Sequence, residues 1–433
     1  MRGSLTRRDF IAGAAVGTAA LATRPWAAAA RTTAPNRKPG LPAPATSGID
    51  HIVVVCMENR SFDHFLGWVP GANGRQDGLT YLDDSGQPHT THHLSDWQGC
   101  GFNDPDHSYT GGRVQLNGGA CDGFRKGGND DFALGYYQRA DLPLTAALVD
   151  NFTIFDGWFA GILGPTYPNR FYTHAAATDR ISNTSTTSTL PTIWDRLAAA
   201  GVPARYYFSD VPFLALWGTK YASIARHVTQ FFGDAAAGTL PAYSYLDPFF
   251  LGEDQGGSND DHPHADIRRG QAFLSEVVLA LMNGPLWPRT LLLITYDEWG
   301  GFFDHVPPPV LPDDFVPTAT EEHNTAGFRV PAYIVSPFAP KGRIAPGHFD
   351  HSSIPKLVEW RFGLAPLTAR DSAAANPATA LDFSRPNLVP PPIPMVVDPG
   401  PHICGLPDVG MAADDPMWVE LAGLPAVRAY EAV

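Results

Sequence analysis

Positive charge is scarce in this chain. Lysine and arginine total 30 against 44 aspartates and glutamates, a formal net charge of −14. That balance argues against a nucleic-acid partner, because binding a phosphate backbone needs a basic face. Any transient attraction to an anionic membrane surface has to be local. Cysteine is scarce as well, with four in 433 residues. None has the paired spacing of a zinc site. Cys100 and Cys121 flank a loop rich in Gly and Asn and are placed to close it as a disulfide. Cys56 sits inside an apolar run and reads as a buried thiol, and Cys404 has no obvious partner. Long apolar runs are also missing. The longest, residues 10–22, is too short for an ordinary membrane span. There are no repeats and no low-complexity core.

Gly and Pro, by contrast, are abundant, at 42 and 41, which predicts many loops. Near the N-terminus Arg7 and Arg8 precede the mild apolar run, and small residues 27–30 follow. This is the pattern of a twin-arginine export signal cleaved near Ala30. The expected destination is the cell envelope or the exterior, with the twin-arginine machinery as a partner. The signal carries Arg2, Arg7, Arg8 and Arg24 against Asp9, so its removal leaves about −17. Residues 31–47 read as a flexible lead-in, 48–385 as one α/β domain, and 386–433 as a Pro-rich extended tail packed on that domain.

The stretch HIVVVCMENRSFDHFL, residues 51–66, organises the rest. Its Val-rich run suits a strand covered on both faces, as in a parallel sheet. Glu58, Asn59 and Arg60 follow at once. A second run, TLLLITY at 290–296, ends in Asp297 and Glu298. Open α/β sheets place their chemistry at the carboxyl ends of strands. If the two runs lie side by side, Glu58, Asn59, Asp297 and Glu298 converge. Such oxygens repel unless a cation sits among them, and hard oxygen ligands suit a divalent metal. Ca, Mg and Mn are favoured, while nearby histidines also admit Zn or Fe.

ENRSFDHFLG, GPTYPNRFY, TIWDRL, YDEWGGFFDHVPPP and FDHSSIPKLVEW together resemble the bacterial phosphoesterase family of phospholipases C and related acid phosphatases. The motifs come in the family's order and span residues 51–364. The resemblance implies an alkaline-phosphatase-like three-layer α/β/α sandwich with a mostly parallel sheet and long loops over its active edge. It implies a secreted, metal-dependent phosphoesterase. Phospholipid headgroup phosphodiesters are the first-choice substrate, and a broad acid phosphatase acting on small phosphate esters is the alternative. A secreted protein that keeps the metal without turnover is the reading from another class, and the intact Thr166 element argues against it.

By this resemblance Glu58, Asn59, Thr166, Asp297 and Glu298 bind the metal and Thr166 is the nucleophile. His107, His262 and His351 stabilise phosphoryl oxygens and protonate the leaving alcohol. The residues themselves support Thr166. Gly164 and Pro165 set a turn before it, and Pro168 is placed to start a helix whose free N–H groups attract an anion. A plain capping threonine is the competing reading. Asn169 and Arg170 either support phosphate or pack. Residues 80–131 read as a long irregular insertion bearing His107. Helices are expected over 193–200 and 265–283, the latter started by Asp266, and strands over 204–208, 242–246 and 330–336. Ser352 or Ser353 is expected to cap one more helix. His264 is undecided, and His348 and Asp350 read as a polar loop.

Overall fold

The computed structural model describes residues 40–253, 256–315, 321–403 and 416–432. The expected export signal, most of the lead-in and Cys404 lie outside the described residues. Among the described residues, one sheet holds eight strands. They are β1 (His51–Met57), β2 (Thr153–Phe155), β3 (Ala204–Phe208), β4 (Ala225–His227), β5 (Tyr243–Leu246), β6 (Thr290–Tyr296), β7 (Ala332–Val335) and β8 (Arg343–Ala345). Their order is β8-β2-β7-β6-β1-β5-β3-β4. Only β7 runs antiparallel to its neighbours. Strands β1 and β6 lie adjacent at the centre and are almost wholly buried, which is why both read as unbroken apolar runs.

The first two helices, α1 (Phe62–Leu66) and α2 (Tyr109–Leu116), belong to the active edge. Helices α3 (Pro143–Asn151), α6 (Val228–Ala237) and α7 (Ile267–Asn283) form one layer; α4 (Thr166–Ala175), α5 (Ile193–Ala199) and α8 (Ser353–Phe362), with the short α9 (Ala369–Ala373), form the other. Strand alternation shows the two faces: Tyr206 meets Trp194 of α5, and its neighbour Tyr207 meets Phe231 of α6. This is a three-layer α/β/α sandwich around a mostly parallel sheet.

Several local expectations need correction. Cys121 is a buried free thiol in an aromatic cluster with Tyr81, Phe124 and Phe328, so it does not pair with Cys100. Cys100 is disulfide-bonded. Residues 80–131 contain a helix, α2, capped by Ser108, whose hydroxyl accepts from Gly111 N at 3.0 Å. Gly111 and Gly112 hide it from a propensity reading, yet packing requires them. A Cβ at Gly111 would lie 2.3 Å from the Asp106 carboxyl, and one at Gly112 would lie 2.8 Å from Leu163. Helix α4 begins at Thr166, two residues before Pro168. Neither Ser352 nor Ser353 caps α8 through its hydroxyl; the Asp350 carboxylate instead accepts from Ser352 N at 2.5 Å. Residues 386–403 run extended along α7, where Val396 N donates to Ser275 Oγ and Arg269 pairs with Asp398. Two further helices follow, α10 (Pro416–Ala422) and α11 (Val427–Glu431), which the Pro-rich composition does not foreshadow.

Candidate active site

Three neighbouring parallel strands end at one edge of the sheet. Met57 pairs with Tyr296 and Val55 with Leu246, so the residues after the strands, Glu58, Asp297 and Asp247, come out together. Arg170 of α4 joins all three. Its guanidinium lies 3.0 Å from Glu58 Oε1, 3.1 Å from Asp297 Oδ2 and 2.8 Å from Asp247 Oδ1. Every one of these side chains is fully buried. Arg170 therefore serves the carboxylates and does not point at a phosphate. Asn169 has a different task. Its side chain accepts from Ile162 N (2.9 Å) and donates to the carbonyls of Gly164 (2.7 Å) and Pro165 (3.0 Å), pinning the turn before Thr166.

Thr166 is the first residue of α4, one helical turn before Arg170. The next N–H, from Tyr167, is already satisfied by Asn183 Oδ1 at 2.8 Å. The Thr166 hydroxyl makes no capping bond; it is buried and has no hydrogen-bond partner. A buried hydroxyl without a partner is costly unless something not yet bound supplies one.

Asn59 shares that condition. It has φ +57°, and both its side-chain atoms are buried without partners. Its N–H donates to Asp297 Oδ1 at 3.2 Å, tying the ends of β1 and β6 together. Gly300 passes close beneath: it has φ +64°, and a Cβ there would lie 2.3 Å from the Asn59 carbonyl oxygen. Gly300 N also donates to Glu298 Oε2 at 2.7 Å, leaving Glu298 Oε1 buried and unbonded.

The three histidines split two ways. His107 Nδ1 donates to the Pro105 carbonyl (2.8 Å), and its Nε2 lies 3.6 Å from Glu298 Oε1. Burial alone would lower it, but Glu298 and Asp104 outweigh burial and raise it to about 9. His262 stands edge-on to His107 with ring centroids 5.6 Å apart. Its Nδ1 is 3.1 Å from Glu253 Oε2, while its Nε2 is buried with no hydrogen-bond partner. It too is raised, by Glu253, Asp104 and Glu58 acting against burial. His351 differs: Nε2–H donates to the Asp297 carbonyl (2.5 Å), and Nδ1 accepts from Trp158 Nε1 (3.3 Å). Burial lowers it to about 4, so the ring is neutral and both its nitrogens are engaged. His264 Nε2–H donates to the Phe102 carbonyl at 3.0 Å; His348 is exposed, and Asp350 pairs with Arg370.

Groups whose ligating atoms all lie within 4.8 Å of one another are Asp104–His107–His262, Glu58–Glu253–His262 and Asp63–Asp304–His305. The predicted trio Glu58, Asp297 and Glu298 is not among them, because Arg170 stands between the first two. The third group is bound up with Arg329, which pairs with Asp63 and Asp304. The predicted ligands nevertheless fit a hard cation. Asn59 Oδ1, Thr166 Oγ1 and Glu298 Oε1 are buried oxygens without hydrogen-bond partners, Glu298 Oε1 facing only His107 Nε2 at 3.6 Å. Burial first and then mutual charge raise Glu58, and burial raises Asp297; burial and Asp297 together lift Glu298 to about 8. A cation relieves both conditions.

Sequence reasoning missed Arg170 as an organiser of the site, and it missed Asp247, Glu253, Asp260 and Trp418. Asp247 carried a legible signal: like Glu58 and Asp297, it is a carboxylate placed directly after a buried strand. Asp260 accepts Glu58 N through its carbonyl (2.8 Å) and His262 N through its side chain (3.0 Å). No local pattern marks Trp418.

Residues 49–365 match the Phosphoesterase family. The chain is 34% identical over 379 residues to non-specific phospholipase C1 of Arabidopsis thaliana, covering 76% of this chain and 70% of that protein. It is 30% identical over 461 residues to phospholipase C B of Mycobacterium tuberculosis (strain ATCC 25618 / H37Rv), covering 88% and 86%. A solved protein of the alkaline phosphatase superfamily from Vibrio parahaemolyticus is 12% identical with a TM-score of 0.34, covering 77% of this chain and 72% of that one. The chain belongs to the phosphoesterase family, among relatives named phospholipases C. It is a phosphoric ester hydrolase.

Proposed function

We propose that the chain is an exported phospholipase C that cleaves headgroup phosphodiesters with Thr166 as nucleophile. The observation that carries this reading is the Thr166 hydroxyl: first in its helix, buried, and without a partner while Asn183 caps the neighbouring N–H. Glu58, Asn59, Thr166, Asp297 and Glu298 would hold a divalent metal ion. Bound there, the cation would lower the pKa of the Thr166 hydroxyl and offset charge on the phosphoryl oxygens. The relatives' names support a phospholipid substrate.

The chain's own groups then divide the work. Thr166 Oγ1 attacks phosphorus, breaking the bond to the diacylglycerol oxygen and forming a threonine phosphodiester that still carries the headgroup alcohol. His107 and His262 turn imidazole edges toward the carboxylate cluster; they bind phosphoryl oxygens and give a proton to the departing oxygen. Water hydrolyses that threonine phosphodiester in a second step, releasing the phosphorylated headgroup and restoring the Thr166 hydroxyl. His351 holds the Asp297 backbone through its Nε2–H. Arg170 fixes Glu58 and Asp297 and opposes the rise that burial imposes on both carboxyls. The N-terminal Arg7 and Arg8 support export by the twin-arginine route.

The test is a substrate panel on purified protein: phosphatidylcholine vesicles, a soluble phosphocholine diester and simple phosphomonoesters, with metal content measured on the same sample. The proposal expects diester turnover to exceed monoester turnover, and Asp297→Ala to lose most of both metal and activity. Preference for monoesters would favour the acid phosphatase instead. Full metal occupancy in Asp297→Ala would remove this residue from the metal set.

A further inference from the structure

Helix α10 lies beyond residue 365, where the family match ends, yet it is docked on the candidate site. Trp418 is 1% exposed. Its indole Nε1–H donates to Glu58 Oε2 at 3.3 Å. The ring lies flat on Phe250, with centroids 3.8 Å apart and planes 8° apart. One residue earlier, the Met417 carbonyl accepts from the Tyr167 hydroxyl at 2.7 Å. Tyr167 follows Thr166, so α10 touches both the carboxylate and the nucleophile's helix.

Glu58 is therefore held at both oxygens. Oε1 faces the Arg170 guanidinium, and Oε2 faces the indole N–H. The two donors differ in kind. Arg170 brings charge and is shared among three carboxylates. The indole N–H is neutral and can only donate, so it orients a carboxylate without competing with a cation for its charge. Groups behind a metal ligand act in this way, fixing the ligand's rotamer and aiming its remaining lone pairs.

We infer that Trp418 is a positioning residue for the proposed metal centre, holding Glu58 ready to ligate through an N–H bond from the C-terminal helix. The inference rests on the reading of Glu58 as a metal ligand, and the experiment separates the two. Full-length protein is stripped with a chelator and titrated with Mn²⁺ and with Ca²⁺ by calorimetry, as wild type, Trp418→Phe, Trp418→His and Glu58→Gln. Trp418→Phe keeps an aromatic ring on Phe250 and removes only the donor. It is expected to keep the melting temperature of the metal-free protein and to weaken metal binding about tenfold, the lower end of what such outer groups contribute. Its turnover should recover at saturating metal. Trp418→His restores a ring N–H and should recover part of the affinity. Unchanged affinity in Trp418→Phe, with Glu58→Gln weakened, would overturn the positioning role and leave the metal centre standing. A histidine variant as weak as the phenylalanine one would assign the effect to packing and overturn it too. Unchanged affinity in Glu58→Gln would remove the metal reading, and this inference with it.

Discussion

At the scale of single residues, the site is held by charge and by close approach. Arg170 is buried among Glu58, Asp247 and Asp297. Removing one partner of a buried ionic group leaves the others uncompensated, at about 3–5 kcal/mol. Arg170→Ala should therefore lose about that much stability in urea unfolding; a loss under about 1 kcal/mol would mean the carboxylates are already neutral. Gly300 is constrained by its backbone. Alanine there would strain φ +64° and drive a Cβ to 2.3 Å from the Asn59 carbonyl. Gly300→Ala should cost about 1–3 kcal/mol and displace Asn59, lowering activity as well as the melting temperature. Unaltered activity would show that Asn59 does not need its place. Glu58, Asn59, Asp297 and Glu298 were legible because each follows a buried apolar run. Arg170 was not, because a guanidinium in a helix looks alike whether it meets a phosphate or a carboxylate. Only the register of β5, β1 and β6 decides between them.

At the scale of elements, long buried strands read most clearly. The runs at 204–208 and 290–296 are strands to the residue, the run at 52–57 falls one residue short of its strand, and α7 starts where Asp266 caps it. What escaped were elements defined by tertiary packing, α2 with its paired glycines and the C-terminal helices. The contact between α8 and α9 shows a further such effect. Asp371 accepts from Leu367 N (2.7 Å), Thr368 N (2.8 Å) and Ser372 N (3.0 Å). Burial, then the hydrogen bond and charge of Asp371, raise Glu359 from 4.5 to about 9. The folded protein thus keeps a proton that the unfolded chain releases. Its contribution is fully present below pH 4.5 and is lost as the pH climbs toward about 9. Glu359→Gln should leave stability at pH 4 nearly unchanged and flatten its decline between pH 5 and pH 9, read from urea midpoints at constant salt. An unchanged slope would show that Glu359 is ionised in the fold.

At the scale of the whole molecule, one sheet edge gathers side chains from distant parts of the chain: Glu58 after β1, Thr166 and Arg170 from α4, Asp297 after β6, and Trp418 near the C-terminus. The family motifs made most of that gathering legible, since they carry the strand ends and the helix that Thr166 begins. They stop before α10, so the closing contribution was not. The N-terminal arginines bear on location. Changing Arg7 and Arg8 together to lysine should retain the protein in the cytoplasm, as fractionation and immunoblotting would show, and undiminished export would exclude the twin-arginine route.

The central claim is that the Thr166 hydroxyl attacks phosphorus. Acid-quenched wild-type enzyme, caught during turnover of a phosphodiester and digested for mass spectrometry, tests it most directly. The account predicts the headgroup phosphoryl group, still esterified to its alcohol, on Thr166 and absent from Thr166→Ala, which should stay folded yet lose activity by orders of magnitude. No phosphoryl adduct on residue 166, together with near-normal turnover by Thr166→Ala, would contradict it and make water the attacking group.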